Sequence, residues 1–184
     1  MVADYKYGFD GMTRDVMLEK MQKGWKSTET PCGSGSQLRN TINVRNVLPF
    51  VVKKYGIRTV NDAGAGDLRW IGKIAWDVDY RPFDLVPRRG EVTALDVTLE
   101  VMPEADLILC RHVLNHLSPK LALDALDNFR QSGRYLLMTN CDNQVKYWKH
   151  FGITLVEPIE KWPDTQKWRL ELYDLTQGTY ERCE

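Results

Sequence analysis

The run Thr59-Val60-Asn61-Asp62-Ala63-Gly64-Ala65-Gly66-Asp67-Leu68-Arg69-Trp70 constrains the fold more than any other part of the chain. A β-branched pair enters a strand and meets two glycines one residue apart. A side chain at either glycine would block the approach of backbone to a ligand and resist the turn leaving the strand. Strand, glycine turn and a helix start open a βαβ unit, so further strands and crossovers are expected downstream. Short apolar runs do recur, at Thr59–Asn61, Tyr80–Asp84, Val92–Leu95, Leu107–Cys110, Tyr135–Thr139, Ile153–Val156 and Trp168–Leu175, which predicts seven strands.

The intervening segments predict helices. Pro119–Gln131 spaces Leu121, Leu123, Leu126 and Phe129 along a polar surface, and Gly133 ends it. Strand, crossover, strand is the mark of a parallel α/β sheet, so the expected fold class is a doubly wound, seven-stranded, mostly parallel sheet. The connection from Asp84 to Val92 is too short for a helix with its turns, which makes this a trimmed version. The last two runs are separated by Glu157–Lys167 with its two prolines, as expected of an antiparallel pair joined by a long loop. Before the glycine turn, Met12, Val16, Met17, Met21 and Trp25 have helical spacing, and Thr28–Ser36 has the composition of a loop. Gln37–Tyr55 is helical again up to Gly56, with Pro49 expected to kink or divide it.

A chain of 184 residues suits one domain. Lys plus Arg equals Asp plus Glu at 25 each, so bulk charge gives no support to a surface built for a phosphate backbone. No apolar run reaches the roughly 18–20 residues that cross a bilayer, and Met1–Lys6 lacks a signal-peptide core. A soluble, cytoplasmic protein without a membrane partner is expected, as a monomer or homodimer. Cys32, Cys110, Cys141 and Cys183 form no CxxC pair and are expected to be reduced thiols.

Two acids reinforce the glycine signal. Asp84 lies 22 positions beyond Asp62, where the second strand ends, and a carboxylate there can accept two hydrogen bonds from a ribose. Asp96 follows the third apolar run and could take the exocyclic amine of an adenine. Each feature has a plain structural counterpart: Gly-x-Gly also makes a tight turn, and Asp at a strand end also caps or turns. Three acids at three strand ends argue jointly for a nucleoside. A nicotinamide dinucleotide would use the same strand, loop and acid, but it calls for a third small residue where this chain has Arg69.

With these residues the chain resembles the class I S-adenosylmethionine-dependent methyltransferases, and more closely a compact single-domain group of them. The resemblance rests on Gly33-Ser34-Gly35-Ser36, Asp62 with Gly66-Asp67, Asp84-Leu85-Val86-Pro87 and Cys110-Arg111-His112-Val113-Leu114-Asn115-His116-Leu117-Ser118, and covers about residues 30–140. It implies a Rossmann-like core over 57–184 preceded by N-terminal helices and a lid loop over 1–56. It implies S-adenosylmethionine as cofactor and S-adenosylhomocysteine as product. The loop with Asp62, Gly64 and Gly66 would face the methionine part, Asp84 the ribose, Leu85 one adenine face, and Asp96 with Val97 its edge. Gly33–Ser36 would cover the cofactor, with Arg39 or Arg45 for its carboxylate. Arg111, His112, Asn115 and His116 would stand beside the methyl, Arg111 serving cofactor and chemistry alike. The group's aspartate after the fourth-strand arginine is His112 here, the candidate base, because imidazole titrates near neutral pH.

His112 and His116 are four apart, a spacing that on a helix puts both on one face, but no glutamate of an HExxH pattern and no third ligand accompanies them. No metal is expected. His150 among Tyr147, Trp148 and Phe151 is expected to pack. Lys146–Lys149, Lys161–Pro163 and Lys167–Arg169 could stack bases or sugars, or could cover a sheet edge. Arg88-Arg89 is expected as a solvated turn. The expected function is methyl transfer to oxygen or nitrogen of a small molecule or an exposed polymer end. The alternatives are a cofactor-binding protein without catalysis and, third, a nicotinamide-dependent oxidoreductase. Nucleic acid is unsupported as acceptor, and no Asn/Asp-Pro-Pro-Tyr stretch follows the fourth strand.

Overall fold

The computed structural model describes residues 11–25, 29–141, 153–161 and 168–177. The His150 aromatic group and most of the basic and aromatic C-terminal stretches lie outside them. Seven strands form one sheet: β1 (Thr59–Ala63), β2 (Asp79–Asp84), β3 (Thr93–Ala94), β4 (Ala105–Cys110), β5 (Gly133–Cys141), β6 (Thr154–Lys161) and β7 (Trp168–Asp174). Their order is β3-β2-β1-β4-β5-β7-β6. The pairs from β3 to β5 are parallel, and β7 is antiparallel to both β5 and β6. The chain therefore runs outward from β1 to β3, then returns across β1 to β4. That reversal opens a crevice at the carboxyl ends of β1 and β4, where open α/β sheets bind ligands.

Both faces of the sheet are covered, which is why its central strands read as continuous apolar runs. Along β4 the side chains alternate: Leu107 and Leu109 join Val44, Leu48, Val51 and Val52 of α2 (Ile42–Tyr55), while Ile108 and Cys110 join Ala122, Ala125, Leu126 and Phe129 of α3 (Pro119–Ser132). The Ser118 hydroxyl accepts from Leu121 N at 3.4 Å to cap α3, and Pro119 occupies the first turn, where its missing N–H costs nothing. A third helix, α1 (Arg14–Lys23), precedes these and lies at the crevice. No helix among the described residues is long and apolar enough to cross a membrane.

Two local expectations are corrected. Pro49 does not divide its helix, because α2 runs unbroken from Ile42 to Tyr55. One lost backbone hydrogen bond is outweighed by the four buried side chains on either side of it, each stabilising by about 1.5–3 kcal/mol. The glycine turn, by contrast, starts no α-helix. Leu68 has φ 58°, and between the glycine turn and β2 the only helical piece is a 3-10 turn at Ile71–Lys73. Asp67 Oδ1 accepts from Arg69 N at 3.2 Å, a local bond that competes with helix formation.

Candidate active site

A cavity of about 730 Å³ lies over the carboxyl ends of β1, β2 and β4. Its floor comes from the glycine turn. Gly64 N and Ala65 N both donate to the Phe83 carbonyl, at 2.9 and 3.0 Å, which ties the end of β1 to β2. Gly64 has φ +97°, and a Cβ there would come within 2.3 Å of Val113 Cγ2, so neither the backbone conformation nor the space admits a side chain.

The three expected acids occupy different settings. Asp84 is 2% exposed and lines the cavity. Its Oδ2 accepts from Gly66 N and its Oδ1 from Val86 N, each at 2.9 Å. A carboxylate has about four lone-pair sites, so one on each oxygen is left for a ligand diol. Burial raises its pKa, and the two backbone donors pull it back. Asp96 also lines the cavity, but its Oδ1 accepts from Thr98 N and Oγ1, and its Oδ2 from Arg14 Nε at 2.9 Å. Burial raises its pKa, yet Thr98 and Arg14 together hold it below the ordinary value. Asp62 lies beneath the loop, 2% exposed and outside the cavity lining. Burial pushes it up to about 7, against the Tyr80 hydroxyl that donates to its Oδ2 at 2.6 Å. Leu85 and Val97 supply apolar wall beside Asp84 and Asp96.

The exit of β4 forms the opposite wall with Arg111, His112, Asn115 and His116. Arg111 stacks its guanidinium over Trp70, 5.2 Å from the ring centroid, and donates to the Gly35 carbonyl at 2.8 Å. His112 has φ 56°, a left-handed conformation unusual for a residue with a Cβ, and its N–H donates to Thr139 Oγ1 at 3.2 Å. Burial, then the charges of Arg111 and His116, depress its pKa well below the usual histidine range, so the imidazole is neutral at neutral pH. That kink ends the helical relation between His112 and His116. His116 sits on a 3-10 turn (Leu114–His116) and stacks on Trp25 at 4.4 Å between centroids. Among the described residues no three His, Cys, Asp or Glu side chains converge as metal ligands, and Cys32 and Cys110 are free thiols.

Residues 29–43 close the cavity from above. Gly33, Ser34, Gly35, Ser36 and Arg39 all line it, whereas Arg45 turns away and donates to the Thr41 and Leu38 carbonyls. A Cβ on Gly35 would lie 2.9 Å from His112 Cδ2, so the bare glycine lets the imidazole rest against this segment. Several anchors here carry no signal in sequence. Thr30 donates to Asp67 at 2.7 Å, and Glu29 pairs with Arg69 at 2.9 Å. Arg88 is half-buried and donates to the Met21 carbonyl, which corrects the expectation of a solvated turn, while Arg89 reaches the Asp67 carbonyl at 3.1 Å. The segment around α1 brings Met17, Met21 and Trp25 into the lining, and its start is tied to the β4 exit by Met12 N donating to the His116 carbonyl at 3.1 Å. Helical spacing announced these residues as a helix and said nothing of what that helix would cover.

Solved methyltransferase structures superpose on this fold. The N-methyltransferase NodS from Bradyrhizobium japonicum, in complex with S-adenosylhomocysteine, superposes with a TM-score of 0.62 at 14% identity, covering 85% of this chain and 97% of that one. The chain has the class I methyltransferase fold. The 1,6-didemethyltoxoflavin-N1-methyltransferase of Burkholderia thailandensis gives a TM-score of 0.53 at 15% identity, covering 77% of this chain and 80% of that one. The S-adenosylmethionine-dependent methyltransferase SibL gives 0.55 at 14%, covering 84% and 64%. No protein-family model matches the chain, and no curated protein does.

Proposed function

We propose that this protein transfers a methyl group from S-adenosylmethionine to oxygen or nitrogen of a small-molecule or exposed polymer-end acceptor, releasing S-adenosylhomocysteine. One observation carries the proposal: Asp84 is a desolvated carboxylate that lines the cavity, braced by two backbone donors yet with a lone pair left on each oxygen. A ribose diol fits that demand. Gly64 and Gly66 leave the floor without side chains, and Leu85, Val97 and Asp96 offer two apolar surfaces and an acid to a purine. S-adenosylhomocysteine in the NodS and toxoflavin enzymes agrees with this assignment. The chain forms one methyltransferase-like unit, in which α1 and residues 29–41 cover the cavity while α2 packs on the sheet.

When bound, the cofactor would supply an electrophilic methyl on a sulfonium, open to in-line attack by an acceptor lone pair with the thioether as leaving group. The protein's own residues hold the partners close and take up the proton. Arg111, fixed between Trp70 and Gly35, sets the position of the covering segment over the glycine turn. His112 is neutral and therefore has a lone pair to receive the acceptor's proton. The same depressed pKa makes it a weak base, so it takes that proton only as the new bond to carbon forms and the acceptor's acidity rises. His116, stacked on Trp25, positions the wall beside it.

A nicotinamide dinucleotide is disfavoured on two counts: no α-helix begins at the glycine turn to receive a pyrophosphate, and Arg69 occupies the third small-residue position while pairing with Glu29. Isothermal titration decides the matter. S-adenosylhomocysteine is expected to bind and NADH not to, and the reverse result would overturn the proposal. Binding of S-adenosylhomocysteine without turnover of S-adenosylmethionine across oxygen and nitrogen acceptors would assign the chain to cofactor binding alone.

A further inference from the structure

Among the described residues that line the cavity, only Ser34, Arg39, Asn40, Ile42 and Asn43 are exposed, and all five belong to the stretch 34–43. The rest of the lining, from Asp84 and Val97 on the nucleoside side to Arg111 at the β4 exit, is buried or half-buried. The stretch thus forms the mouth. It stands against the β4 exit, because Arg111 donates to the Gly35 carbonyl at 2.8 Å and Gly35 rests on the His112 ring. A molecule that approaches His112 after the cofactor is in place passes these five residues.

The mouth carries a cation and no acid. Arg39 Nε donates to Oε1 of the buried Gln37 at 3.1 Å, which holds the guanidinium by one edge. Its two terminal nitrogens have no hydrogen-bond partner among the described residues. Glu29 feels the Arg39 charge, but that carboxylate already pairs with Arg69 and accepts from Leu38 N, each at 2.9 Å. The two acids of the lining are engaged elsewhere, Asp84 by backbone donors and Asp96 by Arg14 of α1. Charge of one sign at the entrance of a cleft concentrates ligands of the other.

We propose that Arg39 reads the acceptor: the substrate is a small molecule bearing a carboxylate or phosphate, whose oxygens take the terminal nitrogens of Arg39 while its nucleophilic atom lies further in, toward His112. This rests on the methyltransferase assignment above and names the substrate class for it. An arginine fork matches a pair of anionic oxygens in geometry as well as charge. Ile42, 48% exposed, offers apolar surface to the body of the molecule. The family resemblance offers Arg39 to the cofactor's own carboxylate; its place at the exposed rim gives it instead to the ligand that enters second.

Benzoate and phenyl phosphate are suitable anionic probes, and benzamide is the neutral counterpart of benzoate in size and shape. Each is titrated by calorimetry into protein saturated with S-adenosylhomocysteine. One or both anions are expected to bind about tenfold more tightly than benzamide at low salt, the scale of one charge-assisted hydrogen bond, and to lose most of that margin in about 0.5 M sodium chloride. Arg39→Met keeps the aliphatic stem and is expected to bind all three alike, with unchanged affinity for S-adenosylhomocysteine and for methylthioadenosine, which lacks the amino-acid part. No preference for either anion in wild-type protein, or a preference that survives in Arg39→Met, would overturn the proposal. So would an Arg39→Met protein that loses S-adenosylhomocysteine but keeps methylthioadenosine, because Arg39 would then hold the cofactor's carboxylate. Loss of both nucleosides would overturn it as well, by making Arg39 a support of the covering segment. Failure of wild-type protein to bind S-adenosylhomocysteine is a separate result and refutes the methyltransferase assignment itself.

Discussion

Replacing Asp62 by Asn should remove a large share of the pH dependence of stability between about pH 4 and about 7. Burial is the main reason that the Asp62 carboxyl rises from its ordinary 3.8 to about 7; the Tyr80 hydroxyl opposes it, the Asp84 charge adds to it and Arg111 opposes it weakly. The folded chain thus holds this proton more tightly than the unfolded chain. Between the two pKa values the folded state carries the extra proton, so stability falls as pH rises through that window and levels off above it. The gap is worth about 4 kcal/mol at about 1.4 kcal/mol per pH unit, a large part of the roughly 5–15 kcal/mol of a whole domain. Asn keeps the shape and can still accept from Tyr80, but it does not ionise. Urea unfolding of both proteins at intervals from about pH 4.5 to about 8 measures the difference, taken as variant minus wild type. His112 titrates in the opposite sense, its folded pKa being lowered, so its contribution is lost as pH falls; it is present in both proteins and cancels in the difference. The variant should gain about 3–4 kcal/mol on wild type across the range. Profiles parallel to within about 0.5 kcal/mol would show that Asp62 is ionised throughout and that its burial has been misjudged.

Asp84→Ala should weaken S-adenosylhomocysteine binding by about 1–3 kcal/mol in calorimetry through loss of charge-assisted hydrogen bonds, and unchanged affinity would put the ribose elsewhere. Gly64→Ala should destabilise the fold by about 1–3 kcal/mol in thermal or urea unfolding, because its Cβ meets Val113 Cγ2 at 2.3 Å. Val113→Ala in the same chain should recover part of that loss, leaving the strain of the positive φ; no recovery would mean that the clash is not with Val113. His112→Ala should reduce turnover while cofactor affinity stays near wild type, and an unaltered rate would remove His112 from the proton path. His112→Gly should be about 1–2 kcal/mol more stable than His112→Ala, since only glycine adopts φ 56° without strain, and equal stability would contradict the left-handed backbone.

The element plan was legible because strands and helices are written in local periodicity. Leu107–Cys110 reads as a buried strand, Pro119 to Gly133 as a capped helix, and the two glycines as a turn that must bring backbone close to something. Spacing also put Asp84 and Asp96 at the right strand ends. Periodicity misled at several points: Pro49 lies inside a helix held by its buried flanks, the glycine turn starts no α-helix, the helix expected from Gln37 is α-helical only from Ile42 after a 3-10 turn, and the sixth strand runs to Lys161 through residues expected as loop. The walls of the cavity were not legible. Arg14 meets Asp96 across 82 positions and Arg111 meets Gly35 across 76, and no pattern within either segment indicates its partner. Whether Asp62 and Asn115 were exposed turns or buried polar groups could not be read from their neighbours in sequence either, because burial and the count of available donors exist only once the sheet, α1 and the covering segment have closed on one another. The sequence therefore determined the sheet and the floor of the site, which depend on local spacing, while the charge state of Asp62, the paired state of Asp96 and the burial of Asn115 were decided by packing between distant segments.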